Sequence, residues 1–133
     1  MSKKFFIAAS ALIFLACSTA QESQQLFDKA SALTKLTAHV DAAILYSPAG
    51  KLESDQTLFD KAFAANPWLK SQLGSDGLRL QRGERGIVLM VCTEDGSKAL
   101  LEDLSCTPNM DKHPWRDEPD RACTFSLSPT ACP

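Results

Sequence analysis

The residues best suited to chemistry lie close together in the segment 108–123, which reads PNMDKHPWRDEPDRAC. It contains His113, and imidazole is a side chain that can titrate near neutral pH and can bind metals. Four carboxylates accompany it, and they could bind a metal ion or transfer protons: Asp111, Asp117, Glu118 and Asp120. However, these acids have no regular spacing, the EF-hand pattern is absent, and Pro114 favours an extended backbone at His113. The sequence therefore predicts no catalytic residue and no metal site in this segment.

A second role for the segment is recognition of another molecule. Trp115 and Arg116 are adjacent, and tryptophan and arginine are enriched among the residues that dominate protein interfaces. Loops on a rigid scaffold also commonly carry binding function. We therefore predict Trp115, Arg116 and His113 as binding residues. An alternative interpretation is that Trp115 folds back to cover the end of the core.

Four cysteines in the second half of the chain predict two disulfide bonds, because their number is even and the domain is small: Cys92, Cys106, Cys123 and Cys132. A zinc site is disfavoured because no CxxC or HxxxH spacing is present. Three connectivities are possible. We favour Cys106–Cys123, which would close the segment 108–123, together with Cys92–Cys132, which would fix the C-terminus.

The N-terminal residues predict export. The basic start MSKK precedes the apolar run FFIAASALIFLA, which fits a secretory signal peptide and is too short for an ordinary transmembrane helix. Small residues at Ser18 and Ala20 favour removal of residues 1–20. The sequence IFLAC instead resembles a lipobox, whose use would remove residues 1–16 and leave a lipid on Cys17. The prediction is one exported domain, 21–133, in the periplasm or, if Cys17 is lipidated, at the outer membrane.

The spacing of apolar residues along the chain predicts the secondary structure. Residues 23–46 carry apolar side chains at helical spacing, and SDQTLFDKAFAAN and PWLKSQL predict two shorter helices, the first capped by Ser54 or Asp55. From residue 78 the pattern changes: LRLQR alternates, and IVLMVC predicts a central strand buried on both faces. KALLEDLSC and ACTFSLS predict two further strands. The predicted fold is α+β, with two to three N-terminal helices on an antiparallel meander of three to four strands.

We predict that the remaining candidate residues, a histidine and three arginines, are ordinary surface or boundary residues. His39 lies at the edge of the first apolar stripe. Arg79, Arg82 and Arg85 surround the first hairpin, where they could bind an anionic partner, but the strand period places Arg79 and Arg82 on opposite faces. The formal net charge of −2 disfavours a nucleic-acid binder.

These patterns favour a non-enzymatic protein of the bacterial envelope that binds another macromolecule, as an inhibitor, an immunity-type protein or an accessory subunit. No GxSxG motif and no glycine-rich phosphate loop is present, and no cofactor is expected. The expected partner is another envelope protein or envelope component, with membrane contact only through a lipid on Cys17. Two alternatives stay open: an envelope hydrolase, metal-dependent or acid–base, that uses His113 and nearby acids, and a structural lipoprotein tethered through Cys17.

Overall fold

The computed structural model describes residues 9–74, 76–106 and 121–133, and the side chains from residue 20 onward. Helices precede strands along the chain, with the bounds α1 Ala9–Tyr46, α2 Asp55–Ala65, α3 Pro67–Leu73, β1 Gly77–Arg82, β2 Ile87–Cys92 and β3 Ala99–Leu104. The three strands form one antiparallel sheet in the order β1-β2-β3. The helices pack on this sheet, so the predicted α+β fold is confirmed.

Helix α1 ends at Tyr46, as predicted, but begins at Ala9 rather than at residue 23. The predicted start is wrong because no proline or glycine interrupts residues 9–46, so the helix continues through part of the predicted signal peptide. One stripe of α1 is buried and contacts α2, α3 and the sheet: Ala30, Leu33, Leu36, Val40 and Ile44. Among the described residues, no helix combines the length and apolar character needed to cross a membrane.

Helices α2 and α3 begin where capping chemistry predicts. The hydroxyl of Ser54 accepts a hydrogen bond from the Thr57 amide at 3.2 Å, which satisfies an unpaired donor at the start of α2. Helix α3 begins at Pro67 and ends before Gly74. Lys35 of α1 lies 4.5 Å from the centre of the Trp68 ring of α3, and this cation–π contact adds to the apolar packing between the two helices.

Strand β2 is buried along its whole length, as its continuous apolar sequence predicts. Ile87, Leu89 and Val91 join the core beneath the helices. Val88 and Met90 lie on the other face, where the C-terminal segment 121–133 covers them. The sheet is thus the middle layer of three, with helices on one side and an extended segment on the other.

The sequence ACTFSLS predicts a fourth strand, and this prediction is wrong. One isolated bridge, between Lys98 and Ala122, is the only strand-type pairing that the described part of this segment makes. Phe125 and Leu127 pack on the sheet face, whereas the alternate residues Thr124, Ser126 and Ser128 are exposed. An extended chain with one buried face shows the same alternation whether or not it pairs with a sheet edge.

Candidate functional site

The C-terminal segment 121–133 is attached to the sheet at three points. Disulfides Cys92–Cys123 and Cys106–Cys132 hold its two ends, with Cα–Cα separations of 5.8 and 5.6 Å. Cys92 ends β2, whereas Cys106 follows β3 at the opposite end of the sheet. Glu102, in β3, provides the third attachment between them. The segment therefore runs along the length of the sheet face.

The four cysteines form two disulfides, as predicted, but the favoured pairing of Cys106 with Cys123 and of Cys92 with Cys132 is wrong. Antiparallel pairing of β2 with β3 places Cys92 and Cys106 at opposite ends of the sheet. The returning segment passes Cys92 first and reaches the other end last, so each cysteine bonds to the nearer partner. The spacing of the cysteines in the sequence does not reveal the direction in which the C-terminal segment crosses the sheet.

Glu102 is fully buried, and its carboxylate is satisfied on both oxygens. Oε1 accepts hydrogen bonds from the amides of Ser126 at 2.7 Å and Leu127 at 2.9 Å, and Oε2 accepts one from the Ser126 hydroxyl at 2.5 Å. The Arg121 guanidinium lies 3.5 Å from Oε2 and supplies the opposite charge. A buried charge is costly unless it is paired and hydrogen-bonded, so these contacts make Glu102 an anchor for the segment.

The predicted binding residues Trp115, Arg116 and His113 lie outside the described residues, as do the four neighbouring acids of the segment. The side chain of Cys17 lies outside them as well. The structure does describe both flanks of residues 107–120. Cys106 on one side and Cys123 on the other are bound to the scaffold by different disulfides, at opposite ends of β3. Both ends of this stretch therefore start from fixed positions.

The three arginines of the first hairpin do not share a role. Arg79 pairs across the sheet with Met90 and Arg82 with Ile87, so these two face opposite sides, as predicted. Arg79 and Arg85 are exposed. Arg82 donates to the Asp55 carboxylate at 2.7 Å and to the carbonyls of Glu53 and Lys51 at 2.8 and 3.4 Å. Arg82 therefore holds the turn between α1 and α2 and is not a free cation.

A cleft of about 250 Å³ lies between the end of α1, the turn that follows it and the hairpin turn 83–86. Its walls are apolar at Ile44, Leu45 and Ile87, and its charged lining residues are Asp41, Lys51, Arg82 and Glu84. The Ser105 hydroxyl donates a hydrogen bond to the Asp41 carboxylate and accepts one from the Ile87 amide at 2.9 Å. The Oδ1 atom of Asp41 is buried and has no hydrogen-bond partner.

Burial raises the pKa of Asp41 above its ordinary value, and the hydrogen bond from Ser105 opposes this effect. The carboxyl of Asp41 therefore binds its proton more tightly in the native chain than in the unfolded chain. As the pH rises through the raised pKa, Asp41 ionises and the free energy of unfolding falls. We expect Asp41→Asn to raise the Tm by about 2 °C at pH 7, and screening keeps the effect small because the carboxyl is partly exposed. The gain should vanish in acid, below the ordinary pKa of aspartate. Thermal unfolding from pH 3 to 8 measures this, with exposed Asp60→Asn as the control. An equal, pH-independent gain in both variants would contradict the assignment.

A different carboxylate organises the turn between β2 and β3. The Thr93 hydroxyl, the Ser97 hydroxyl and the Ser97 amide donate to Asp95 at 2.5, 2.7 and 3.0 Å, and these bonds lower the pKa of Asp95 to about 2. Gly96 completes the turn with a φ of +73°, which a glycine adopts without steric cost. Since Asp95 stays ionised near neutral pH, its role is to form the turn and not to donate a proton.

Sequence reasoning missed both Glu102 and Asp41. In KALLEDLSC the two acids interrupt a run of leucines, which is the one signal that an acid of this strand is buried. His39, the one imidazole among the described residues, is exposed on α1. Within the same residues, no three His, Cys, Asp or Glu side chains are close enough together to hold a metal ion. Comparison of the chain with protein-family models, with curated proteins and with solved structures finds no match.

Proposed function

We propose that this chain is a small exported protein of the bacterial envelope that binds another macromolecule without catalysing a reaction. The observation that supports this proposal is the fixed scaffold on both sides of residues 107–120. Cys123 is bonded to Cys92 at one end of the sheet, and Cys106, which follows β3 at the other end, is bonded to Cys132. A stretch anchored at both ends loses less conformational freedom when it binds a partner, which favours recognition.

Trp115 and Arg116 are the proposed contact residues, with His113 beside them. Buried aromatic and guanidinium groups account for much of the binding energy at protein interfaces. The proposed partner is another envelope protein or envelope component. A nucleic-acid partner is disfavoured by the formal net charge of −2.

The two disulfides indicate an oxidising compartment and therefore an exported chain. We propose a periplasmic location if residues 1–20 are removed, and attachment to the outer membrane if Cys17 carries a lipid. The intact mass of the protein from its native host distinguishes these forms, because one begins at Gln21 and the other at Cys17 with added acyl groups.

Replacing both proposed contact residues, Trp115→Ala with Arg116→Ala, is expected to weaken partner binding by about tenfold or more. The Tm should change by no more than about 2 °C, since exposed contacts add little to stability. Crosslinking in the native host identifies the partner, and titration of the purified partner then gives the Kd.

The matched control is Lys35→Ala with Trp68→Ala, which removes the same kinds of group from the helical layer. This control should bind the partner as the parent chain does. A large fall in Tm with binding intact would show that Trp115 and Arg116 belong to the fold. Equal losses of binding in both double variants would show that the effect is not specific to the 107–120 stretch.

A further inference from the structure

Strand β1 forms one edge of the sheet, and its outer side pairs with no strand among the described residues. β2 is the only strand beside it, and the register between the two is continuous. The opposite edge, on β3, is different, because the Ala99 amide donates a hydrogen bond to the Arg121 carbonyl of the C-terminal segment at 3.2 Å. An unpaired edge is a template on which another strand can form, so β1 is a candidate interaction surface.

The register identifies which backbone groups lie on this free edge. The Gly83 amide donates to the Gly86 carbonyl at 2.9 Å, so these two residues form a hydrogen-bonded pair next to the hairpin turn. Hydrogen-bonded and non-bonded pairs alternate along an antiparallel ladder. The amides and carbonyls that point away from β2 therefore belong to Leu78, Leu80 and Arg82. No other described backbone group forms a hydrogen bond with them.

Two common devices that block an edge strand are absent from β1. Its sequence, GLRLQR, contains no proline, and its pairing with β2 contains no bulge. The charge of Arg82 is paired with the Asp55 carboxylate at 2.7 Å, whereas Arg79 is exposed on the opposite face of the strand. The position of Arg79 relative to a new strand is therefore the main electrostatic constraint on what fits this edge.

A second copy of β1 satisfies that constraint in one antiparallel register. In a two-fold pair centred on Leu80, each Leu80 lies opposite the other and Leu78 lies opposite Arg82. The outward groups of both strands then exchange about six hydrogen bonds. On the other face, Arg79 of each copy lies opposite Gln81 of the other, so a cation meets an amide that carries no charge.

Neighbouring registers are less favourable. A centre on Arg79 would place two guanidinium groups directly opposite each other, which is destabilising. A centre on Leu78 would bring Leu80 opposite Asp76, whose amide already donates to a carbonyl at the end of α3. A centre on Gln81 would move Leu78 past the end of the facing strand, so fewer hydrogen bonds would form.

We propose that β1 is a self-association surface, through which two copies of the chain join their three-stranded sheets into one continuous antiparallel sheet centred on Leu80. The second copy is favoured over an unrelated strand because the edge is complementary to itself in charge and in backbone groups. Since the contact is built on one strand from each copy, association is weak, with a Kd of roughly 10–100 µM. This inference goes beyond the proposed function, because it rests on β1 and not on the 107–120 stretch.

Hydrogen exchange of single amides tests which backbone groups the dimer uses. The sample is the ¹⁵N-labelled exported chain with both disulfides intact. We expect the amides of Leu78, Leu80 and Arg82 to exchange about threefold or more slower at about 1 mM than at about 30 µM, because only the dimer bonds them. The amide of Glu94, in the exposed turn between β2 and β3, is the internal control and should exchange at one rate. Sedimentation equilibrium over the same concentrations gives the Kd.

Three variants at positions 79 and 81 test the register. Gln81→Arg places a cation opposite Arg79 twice in each dimer and should weaken association about tenfold. Arg79→Gln with Gln81→Arg exchanges the two side chains, restores a cation opposite an amide and should associate as the parent does. This double variant has the parent's composition, so it separates pairing from net charge. Gln81→Glu, which keeps the side-chain shape, should strengthen association about fivefold.

Several results would overturn the proposal. One is a chain that stays monomeric up to about 1 mM, and another is a dimer in which the three outward amides exchange at the monomer's rate. Failure of the exchanged variant to recover the association lost in Gln81→Arg would contradict the register. Protection of the same amides only after another envelope protein is added would assign the edge to that protein.

The proposed contact residues of the 107–120 stretch provide the last comparison. The Trp115→Ala, Arg116→Ala variant should dimerise as the parent does, whatever the result of the partner titration, and this outcome supports two separate surfaces. Loss of the dimer in that variant would move self-association to the 107–120 stretch and overturn the assignment to β1.

Discussion

Replacing Glu102 with alanine is expected to lower the free energy of unfolding by about 3–5 kcal/mol, the typical loss when one partner of a buried charged network is removed. Glu102→Ala leaves the amides of Ser126 and Leu127 without their acceptor and removes the negative charge that lies 3.5 Å from the Arg121 guanidinium. It also opens a void beneath the segment 121–133. Urea denaturation followed by circular dichroism gives the free energy of unfolding.

Two control variants separate the hydrogen bonds from the charge. Glu102→Gln keeps a carbonyl that can accept from both amides but loses the charge that faces Arg121, so we expect a smaller loss of about 1–3 kcal/mol. Glu94→Ala removes an exposed acid from the β2–β3 turn and should change stability by less than about 0.5 kcal/mol. If Glu102→Ala unfolds at the same urea concentration as Glu94→Ala, the buried contacts contribute nothing measurable.

Removing either disulfide is expected to cost about 3.5 kcal/mol, because the bonds join cysteines 31 and 26 residues apart and so restrict the unfolded chain to a similar degree. One variant carries Cys92→Ala with Cys123→Ala, and the other Cys106→Ala with Cys132→Ala. The variant that lacks both bonds should be largely unfolded at 37 °C, since the summed loss is comparable to the whole stability of a small domain. Denaturation of the three variants beside the oxidised parent gives the losses.

A separate experiment checks which cysteines are paired. Peptide mass spectrometry of the non-reduced parent should show Cys92 linked to Cys123 and Cys106 linked to Cys132. A peptide that links Cys92 to Cys132 would contradict the connectivity. Removing natural pairs leaves the remaining disulfide able to form, whereas removing one cysteine from each pair leaves two free thiols and a larger loss of stability.

The fold was predictable from sequence wherever one local pattern decided the structure. IVLMVC is apolar at every position and contains three β-branched residues, a pattern that favours a strand covered on both faces. Ser54 precedes an apolar stripe at helical spacing and caps α2 as that position predicts. In these segments the side chains themselves specify the element, so no knowledge of distant neighbours was needed.

The features that could not be predicted depend on where segments distant in the sequence meet. Glu102 is buried only because residues 121–133 return across the sheet and bring two amides, a hydroxyl and a guanidinium to it. Asp41 belongs to a cleft because the hairpin turn 83–86 lies beside α1. The disulfide pairing depends on the direction in which residues 121–133 cross the sheet, and no pattern within ACTFSLS specifies that direction. Asp41 carries no local signal that separates it from a solvated acid, and the leucines around Glu102 do not show which groups it meets.

The disulfide connectivity also affects how the chain matures. Export delivers the chain from its N-terminus, so Cys92 and Cys106 reach an oxidising compartment before either native partner, Cys123 or Cys132, has followed. A bond between these two early thiols would draw together positions that the finished sheet holds at opposite ends. Maturation therefore needs either thiols that stay reduced until Cys132 has emerged or an isomerase that exchanges a first, wrong bond. Alkylation of free thiols during synthesis would distinguish these two routes.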